Sequence, residues 1–320
     1  MPLISTNASM KVAVLDLGTN TFHLLIADIN KSGAWQQILK ERVTVKLGKK
    51  GIDKKIIAPP AYRRGMKALE KFHKSILQFR VKKIYAFGTA ALRSSSNGKQ
   101  FLQQAKSKFK ININLISGDQ EALFIYYGVR QAVELGNETS LIMDIGGGSV
   151  EMIIANAKHI YWKQSFKLGA ALLIDKFKPG DPLSQKDLKV LIAHFKENMK
   201  PAFVACKKYL PVKLIGSAGS FETIASMIRH RFPDSGSHYG KTSHPIKLQH
   251  FKAIHRTLVV SDADARNRMK GLIKMRIDMI VMASLLLNFV LDQTKIKNIQ
   301  LSTFALKEGA LWKTIQSSRG

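Results

Sequence analysis

Apolar and polar positions follow the same order in two stretches of the chain. Residues 13–28 read AVLDLGTNTFHLLIAD and residues 141–156 read LIMDIGGGSVEMIIAN. Each stretch is an apolar run, then Asp-x-Gly, then a short turn with a hydroxyl residue, then a second apolar run. Runs this short and this rich in β-branched residues are typical of strands rather than helices. Both stretches are therefore predicted to form two antiparallel strands joined by a tight turn.

The two stretches align without a gap at a shift of 128 residues, the distance from Asp16 to Asp144. Similarity within one chain at a fixed shift indicates a duplicated unit. We therefore predict two related domains, each with one copy of the hairpin. The matched positions are Asp16 with Asp144, Gly18 with Gly146, Thr21 with Ser149, and His23 with Glu151.

Three other stretches place small residues where an apolar strand gives way to a helix. They read IYAFGTAALRSSSNG at 84–98, ISGDQEALFIYYGV at 116–129, and LIGSAGSFET at 214–223. Such junctions can bind anions, because the first turn of a helix leaves backbone N–H groups unpaired. Each also has a plainer explanation. Arg93 can be a surface arginine, the small residues can form a tight turn, and Glu121 can offset a helix dipole.

Length and composition favour a globular protein of the cytoplasm. The chain has 320 residues, 45% of them hydrophobic, which is enough for two ordinary domains. The longest apolar run, residues 279–291, is too short to span a bilayer and is predicted to be a buried helix. The N-terminus does not resemble a secretion signal. Cys206 is the only cysteine, so an intramolecular disulfide and a cysteine-built zinc site are excluded.

The charge is strongly basic, with 51 Lys and Arg against 22 Asp and Glu, a net charge of +29. This excess favours a polyanionic partner, although a proteome that is basic throughout, for reasons of solubility, would also produce it. Zinc-finger spacing and an aromatic RNA-binding signature are both absent from the sequence. Nucleic acid is therefore not the expected partner, and a phosphate polymer or a highly phosphorylated nucleotide is preferred. The basic residues are spread along the chain, as in KKGIDKK at 49–55.

The two glycine-containing turns offer backbone N–H groups of the kind that form anion-binding concavities. Asp16 and Asp144 precede these turns and have the same sign of charge as phosphate, so they cannot bind it directly. They can hold a hydrated divalent cation that bridges to phosphate. A single Asp is more simply explained as a turn former that bonds its own backbone. Two at matching positions favour the cation site.

Six motifs then occur in an order and spacing that resemble those of the exopolyphosphatase and guanosine pentaphosphate phosphatase family. They are DLGTNTFHLLIA at 16–27, GTAALR at 88–93, ISGDQEALFIYYGV at 116–129, DIGGGSVEMIIA at 144–155, GSAGSFET at 216–223 and LSTFALKEGAL at 301–311. The resemblance implies an α/β fold of two ribonuclease-H-like lobes, as in actin, sugar kinases and heat-shock ATPases, with an interdomain active-site cleft. It implies an N-terminal lobe at 1–125, with a C-terminal helix of about 306–320 packed back on it, and a C-terminal lobe at 126–305.

The same resemblance implies release of terminal phosphate from inorganic polyphosphate or guanosine pentaphosphate, with Mg²⁺ as the cofactor. Glu121 matches the catalytic acid of the family, which would act as general base. Asp144 and Glu151 match its metal-associated acids, with Asp16 as a helper. The predicted phosphate contacts are Gly18, Thr19, Asn20, Arg93, Gly146, Gly147, Gly148 and Ser149. Further substrate contacts are expected at Thr21, His23, Gly216, Ser217 and Gly219.

Several residues depart from the family pattern and leave alternatives open. Gln120 stands where the family has a first acid, and the segment 303–305 and Met282 also differ. These departures favour, as an alternative, a non-catalytic sensor that binds polyphosphate or the nucleotide. A third hypothesis is nucleic-acid binding driven by charge alone. A homodimer is compatible with the resemblance, and no membrane partner is expected.

Overall fold

The structure is a computed structural model that describes residues 9–233 and 241–317. Within those residues it divides into two compact units. The first unit comprises residues 9–117 and 310–317, and the second comprises residues 118–233 and 241–309. The predicted domain boundary between residues 125 and 126 thus lies inside the second unit, and the C-terminal residues group with the first.

In the described residues, the first unit has a five-stranded sheet, helices α1 to α3 and the end of the last helix of the chain. The sheet order is β3-β2-β1-β4-β5; β1 pairs antiparallel with β2 and parallel with β4. Its elements are β1 (Met10–Leu17), β2 (Thr21–Ile29), β3 (Trp35–Thr44), α1 (Pro59–Gln78), β4 (Lys83–Gly88), α2 (Ala90–Ser94), α3 (Gly98–Phe109) and β5 (Ile113–Leu115).

The first unit's core forms because its central strands are apolar and α1 has one apolar face. Most residues of β1 and β2 are buried, as expected for strands in the middle of a sheet. Two prolines start α1, where the missing N–H costs no helical hydrogen bond. Leu69, Phe72 and Ile76 recur at helical spacing on its buried face. This packing holds the first turn, between β1 and β2, at one edge of the sheet.

The second unit is a six-stranded sheet with helices around it, in the order β10-β11-β9-β6-β7-β8. Its elements are α4 (Gly118–Ala132), β6 (Ser140–Ile145), β7 (Val150–Ala155), β8 (Ile160–Phe166), α5 (Ala170–Phe177), α6 (Gln185–Asn198), α7 (Lys200–Tyr209), β9 (Lys213–Ser217), α8 (Ala218–Arg231), β10 (Ser243–Ile246), α9 (Leu248–Val259), α10 (Ala263–Asn267), a short 3-10 helix (Lys274–Arg276), α11 (Ile280–Thr294) and β11 (Asn298–Ser302). The last helix, α12 (Leu306–Ser317), contributes its first residues to this unit.

The two sheets repeat one topology. Strands β8-β7-β6-β9-β11 follow the same order as β3-β2-β1-β4-β5, and β10 is an additional edge strand. The hairpin registers also agree, because Asp16 lies opposite His23 and Asp144 lies opposite Glu151. The structure therefore confirms the predicted duplication and the α/β fold of two ribonuclease-H-like lobes.

The apolar run at 279–291 is helical, as predicted. Helix α11 is buried along most of its length within the core of the second unit. Its low amphipathicity follows from that position, because helices α5 to α9 and the sheet surround it. No helix in the described part of the chain combines the length and apolar content needed to cross a membrane.

Candidate functional site

The first turn, residues 18–21, closes the hairpin of the first unit. The Gly18 N–H donates to the Thr21 carbonyl at 3.2 Å. A Cβ on Gly18 would lie 2.9 Å from that same oxygen, so only glycine fits there. The predicted phosphate contacts Gly18, Thr19 and Asn20 are therefore brought together in one tight turn.

The carbonyl groups of the first turn are already hydrogen-bonded to the chain that follows β3. The Asn20 carbonyl accepts from the N–H groups of Val45 (2.9 Å) and Lys46 (2.8 Å). The Thr19 carbonyl accepts from the Gly48 N–H at 3.1 Å. The Thr19 hydroxyl is different: its side chain is 3% exposed, and its Oγ1 has no hydrogen-bond partner among the described residues. A buried hydroxyl of this kind is typical of a position that a ligand completes.

Arg93 lies in α2 and contacts the short segment between β5 and α4. Its Nη1 donates to the Ile116 carbonyl at 2.6 Å, and its side chain is exposed. That bond fixes one edge of a planar guanidinium that offers five N–H donors in total. Arg93 is thus held by the backbone of its own unit.

Asp16 lies beside residues that can be positively charged. On the sheet, Asp16 is opposite His23, and His23 is opposite Arg42 of β3. We call this row of Arg42, His23 and Asp16 the first rung. It contains one carboxylate and two groups of possible positive charge, which lowers the need for a bound cation at Asp16.

The second turn, residues 146–149, repeats the geometry of the first. The Gly146 N–H donates to the Ser149 carbonyl at 3.0 Å, the equivalent of the bond from Gly18 to Thr21. The start of α5 lies directly on this turn, because the Ala170 N–H donates to the Gly146 carbonyl at 3.0 Å. A Cβ on Gly169 would come within 2.4 Å of the backbone of Gly147. The glycines at this contact therefore permit close packing of the helix as well as the approach of a ligand.

A row of polar side chains crosses the second sheet beside the second turn. Ser165 of β8, Glu151 of β7, Asp144 of β6 and Ser217 of β9 are successive partners across the strands, and we call them the second rung. The Ser165 hydroxyl donates to Glu151 Oε1 at 2.7 Å, and the Ser217 hydroxyl donates to Asp144 Oδ2 at 2.8 Å. Two carboxylates thus lie opposite each other, with one serine on each side.

Both carboxylates of the second rung are buried, at 7% exposure for Asp144 and 2% for Glu151. Burial raises the pKa of Asp144 to about 6, although the Ser217 hydrogen bond and the charges of Lys307 and Arg276 act in the opposite direction. Like charges directly opposite each other on a sheet are destabilising, and burial increases the cost. A bound cation would remove that cost.

The oxygen donors of the second rung fit Mg²⁺. Mg²⁺ is commonly held through one or two carboxylates and keeps several of its waters. Among residues 9–233 and 241–317, no three His, Cys, Asp or Glu side chains are grouped as a metal cage. Two carboxylates suit a hydrated ion that is completed by phosphate oxygens better than one enclosed entirely by protein.

Glu121 lies in the first turn of α4, which packs on β7 and β8. A Cβ on Gly118 would lie 2.4 Å from Ser165 Cβ, so glycine allows the helix start to touch the end of the second rung. The Glu121 side chain is 7% exposed, whereas Gln120 is exposed. Lys163 of β8 pairs with Asp119 at 2.6 Å and holds the same turn. The structure therefore brings Glu121 to the strands that carry Glu151 and Ser165.

Two buried cations near Asp144 were missed by the sequence analysis. Lys307 pairs with Glu308 at 3.1 Å, and Arg276 Nη1 donates to the Ser220 hydroxyl at 3.2 Å. Ser220 donates in turn to the Ile145 carbonyl at 3.0 Å, just before the second turn. The signal for Lys307 was its place inside the LSTFALKEGAL motif. Arg276 belongs to a segment whose sequence suggested only a helix.

Two glycines predicted as substrate contacts have packing reasons for being glycine. A Cβ on Gly216 would lie 1.9 Å from the Phe221 ring, and one on Gly219 would lie 1.9 Å from Arg276 Nη2. Gly219 thus leaves room for the arginine beside the start of α8. Ser217, between them, is placed in the second rung by its bond to Asp144.

The residues that depart from the family pattern in the second half of the chain, at 303–305 and at Met282, lie in packed positions. The Thr303 hydroxyl donates to the Thr242 carbonyl at 3.0 Å, and the Ala305 N–H donates to Glu308 Oε2 at 2.9 Å. A Cβ on Gly128 would lie 2.1 Å from the Ala305 carbonyl oxygen. Met282 is buried within α11. These contacts give the altered residues a structural role in the second unit.

Comparison with known proteins agrees with these features. The model of the Ppx/GppA phosphatase family matches residues 25–318. The crystal structure of an exopolyphosphatase from Cytophaga hutchinsonii is 37% identical, covers 96% of this chain and 98% of its own, and superposes with a TM-score of 0.93. A putative exopolyphosphatase of Haemophilus influenzae is 28% identical over 94% of this chain and 90% of its own length. A guanosine-5'-triphosphate,3'-diphosphate pyrophosphatase of Aliivibrio fischeri is 30% identical. That match covers 70% of this chain and 45% of the length of the Aliivibrio protein.

Proposed function

Because the chain belongs to the Ppx/GppA phosphatase family, we propose that it hydrolyses inorganic polyphosphate from its end, with guanosine pentaphosphate as a second substrate. The observation that carries the proposal is the second rung, in which buried Asp144 and Glu151 lie opposite each other beside a glycine turn. The charges of Lys307 and Arg276 offset part of the cost of this pair, and a divalent cation, which phosphate transfer uses, would offset more of it.

In the proposed reaction, a water oxygen bonds to the terminal phosphorus while the bridging P–O bond breaks and its oxygen leaves with the electron pair. Glu121 accepts the proton of that water as general base. Its burial and its place at the start of α4, a helix that packs on β7 and β8, support this role. Asp144 and Glu151 would hold Mg²⁺, which when bound supplies charge neutralisation on the phosphate oxygens.

The remaining predicted residues would bind the phosphate groups. In the second unit, the turn at residues 146–149 offers backbone N–H groups. In the first unit, the turn at residues 18–21 offers N–H groups and the Thr19 hydroxyl. Arg93 would contribute its guanidinium, a group whose N–H donors suit phosphate oxygens. Asp16 remains a predicted helper, in a rung that already contains His23 and Arg42.

The basic excess supports polyphosphate over the nucleotide as the preferred substrate. A net charge of +29 favours a ligand with many contiguous negative charges. The printed names of the relatives include both an exopolyphosphatase and a guanosine-5'-triphosphate,3'-diphosphate pyrophosphatase. Parallel phosphate-release assays on long-chain polyphosphate, tripolyphosphate and guanosine pentaphosphate would rank the three substrates.

Glu121→Gln tests the mechanism directly. We expect phosphate release to fall by about 10²- to 10⁴-fold, the usual contribution of a general base, while polyphosphate binding is retained. Glu138→Gln is the control, since it removes an exposed carboxylate from the loop that follows α4. Full activity in Glu121→Gln would rule out its role as base.

The alternative of a non-catalytic sensor is supported by Gln120, which replaces an acid of the family. Its exposure weakens that support, because the buried Glu121 beside it is retained. Tight polyphosphate binding without phosphate release in Mg²⁺, Mn²⁺ or Co²⁺ would favour the sensor. Release that depends on Glu121 would exclude it.

A further inference from the structure

The lysine loop, which we define as residues 46–55 with the sequence KLGKKGIDKK, has no role in the function proposed above. It contains five lysines and one acidic residue, Asp53. Four of the lysine side chains are exposed: Lys49, Lys50, Lys54 and Lys55. A concentration of charge this high in ten residues is well above the average of the chain.

The lysine loop begins on the first turn. Its first N–H, from Lys46, donates to the Asn20 carbonyl at 2.8 Å, and the Gly48 N–H donates to the Thr19 carbonyl at 3.1 Å. A Cβ on Gly48 would lie 2.8 Å from the Thr19 Cγ2, so the contact is close enough to require glycine. The start of the loop is thus fixed against residues proposed to bind phosphate.

The loop ends on the segment that follows Arg93. The Ser96 N–H donates to the Lys55 carbonyl at 2.8 Å. Just beyond the loop, Asn97 bonds both backbone groups of Ile57, accepting from its N–H and donating to its carbonyl at 2.9 Å each. The loop therefore runs between two elements of one unit that are both proposed to bind phosphate.

Hydrogen bonds within the loop make it a compact structure. The Ile52 N–H donates to the Gly48 carbonyl at 2.9 Å, and the Ile56 N–H donates to the Gly51 carbonyl at 3.0 Å. A Cβ on Gly51 would lie 2.2 Å from the Ile56 carbonyl oxygen. Ile52 and Ile57 are buried and anchor the loop to the core. Because the backbone of the loop is already ordered, it loses less conformational entropy when its lysines bind a ligand.

Three of the five lysines have backbone conformations that other residues adopt more easily. The φ angles of Lys46, Lys50 and Lys55 are 46°, 61° and 52°, in the left-handed region favoured by glycine and asparagine. Three such residues in ten show that the backbone of the loop turns sharply at these lysines.

We propose that the lysine loop binds internal phosphates of a polyphosphate chain that the first turn and Arg93 also contact. This inference rests on the proposed function and names the polymer as its preferred substrate. The loop contains no aromatic residue on which a nucleobase could stack, which argues against single-stranded nucleic acid as the ligand. Several lysines in succession can pair with the contiguous phosphates of a long chain. A nucleotide with few phosphates would contact fewer of these lysines.

The test replaces the four exposed lysines together, as Lys49→Gln, Lys50→Gln, Lys54→Gln and Lys55→Gln. A control variant removes four exposed lysines from α6 and α7 of the second unit, as Lys189→Gln, Lys196→Gln, Lys200→Gln and Lys207→Gln. Both variants change the net charge equally. Binding of long-chain polyphosphate and of a single-stranded DNA oligonucleotide is measured without added divalent cation, and KM is measured for long-chain polyphosphate and tripolyphosphate.

We expect the loop variant to weaken long-chain polyphosphate binding by about tenfold or more at low salt, with a shallower salt dependence. Its KM for tripolyphosphate and its melting temperature should match those of the wild type, and the control variant should bind polyphosphate normally. Unchanged polyphosphate binding, or an equal loss in the control variant, would overturn the proposal. Loss of DNA binding alone would overturn it in favour of a nucleic-acid surface.

The outcomes also separate this inference from the proposed function. A wild-type protein that binds polyphosphate through the loop but releases no phosphate would contradict the hydrolase and support the loop. A wild-type protein that releases phosphate equally well with and without the four lysines would support the hydrolase and contradict the loop.

Discussion

The two rungs share a backbone and differ in charge. Each lies beside a tight turn closed by an equivalent hydrogen bond, and each joins strands in the same register. The first rung places Asp16 opposite His23 on β2, and His23 opposite Arg42 on β3. The second places Asp144 opposite Glu151, both buried, and the charges of Lys307 and Arg276 act on Asp144. The same duplicated backbone thus carries one carboxylate in the first rung and two in the second, and we expect the cation at the second.

The largest expected effect comes from removing the charge of one rung at a time. Asp144→Asn should lower phosphate release by more than the ten- to hundredfold that is typical when only an outer-shell partner of a metal is lost. Asp16→Asn, the same change at the matching position, should have a clearly smaller effect. Thermal unfolding with and without Mg²⁺ checks the cause: added Mg²⁺ should raise the melting temperature of Asp16→Asn and leave that of Asp144→Asn unchanged. Equal losses in the two variants would remove the distinction between the rungs.

A smaller effect is expected from Ser165, which orients Glu151 through a 2.7 Å hydrogen bond. Ser165→Ala should lower phosphate release by about 10- to 100-fold and raise the Mg²⁺ concentration needed for half-maximal rate. Ser140→Ala is the matched control, because Ser140 is a buried serine at the far end of β6. A loss of rate with no change in Mg²⁺ dependence would show that Ser165 acts only on packing.

The smallest effect concerns the response of the second unit to acid. Burial lowers the pKa of His255 to about 4, with the charge of Lys252 acting in the same direction and that of Asp292 opposing it. His255 also contacts the Ser284 hydroxyl and the Phe251 ring. Because its pKa in the folded state is below the usual 6.5, the unfolded state takes up the proton first. Stability should therefore fall as the pH drops from about 6.5 to about 4.

His255→Gln should reduce that pH dependence. Thermal unfolding at pH 7 and pH 4.5, with hydrogen exchange read for α9 and α11, would measure the effect in the second unit. An unchanged difference between the two pH values in His255→Gln would assign the acid response to other groups.

The architecture was predictable because the duplicated hairpin is a local signal. The apolar runs around Asp16 and Asp144 fix both strands, and the gap-free alignment fixes a common register. The apolar run of α11 was equally clear. The contacts of Asp144 were not predictable in full, because Lys307 and Arg276 come from distant segments that only the folded chain brings near it. Gly216 and Gly219 show a second limit: their sequence context suits ligand binding and helix packing equally, and only the positions of Phe221 and Arg276 reveal the packing.

The left-handed lysines of the loop place stability and binding in opposition. At Lys50 and Lys55 an asparagine or glycine would relax the backbone, so selection for thermostability alone would favour those substitutions. Selection for affinity would restore lysine. In a library of variants sorted for heat resistance, asparagine or glycine should therefore become more frequent at these two positions. When the same library is then sorted for polyphosphate binding, lysine should become more frequent again, so stability and affinity compete in the loop.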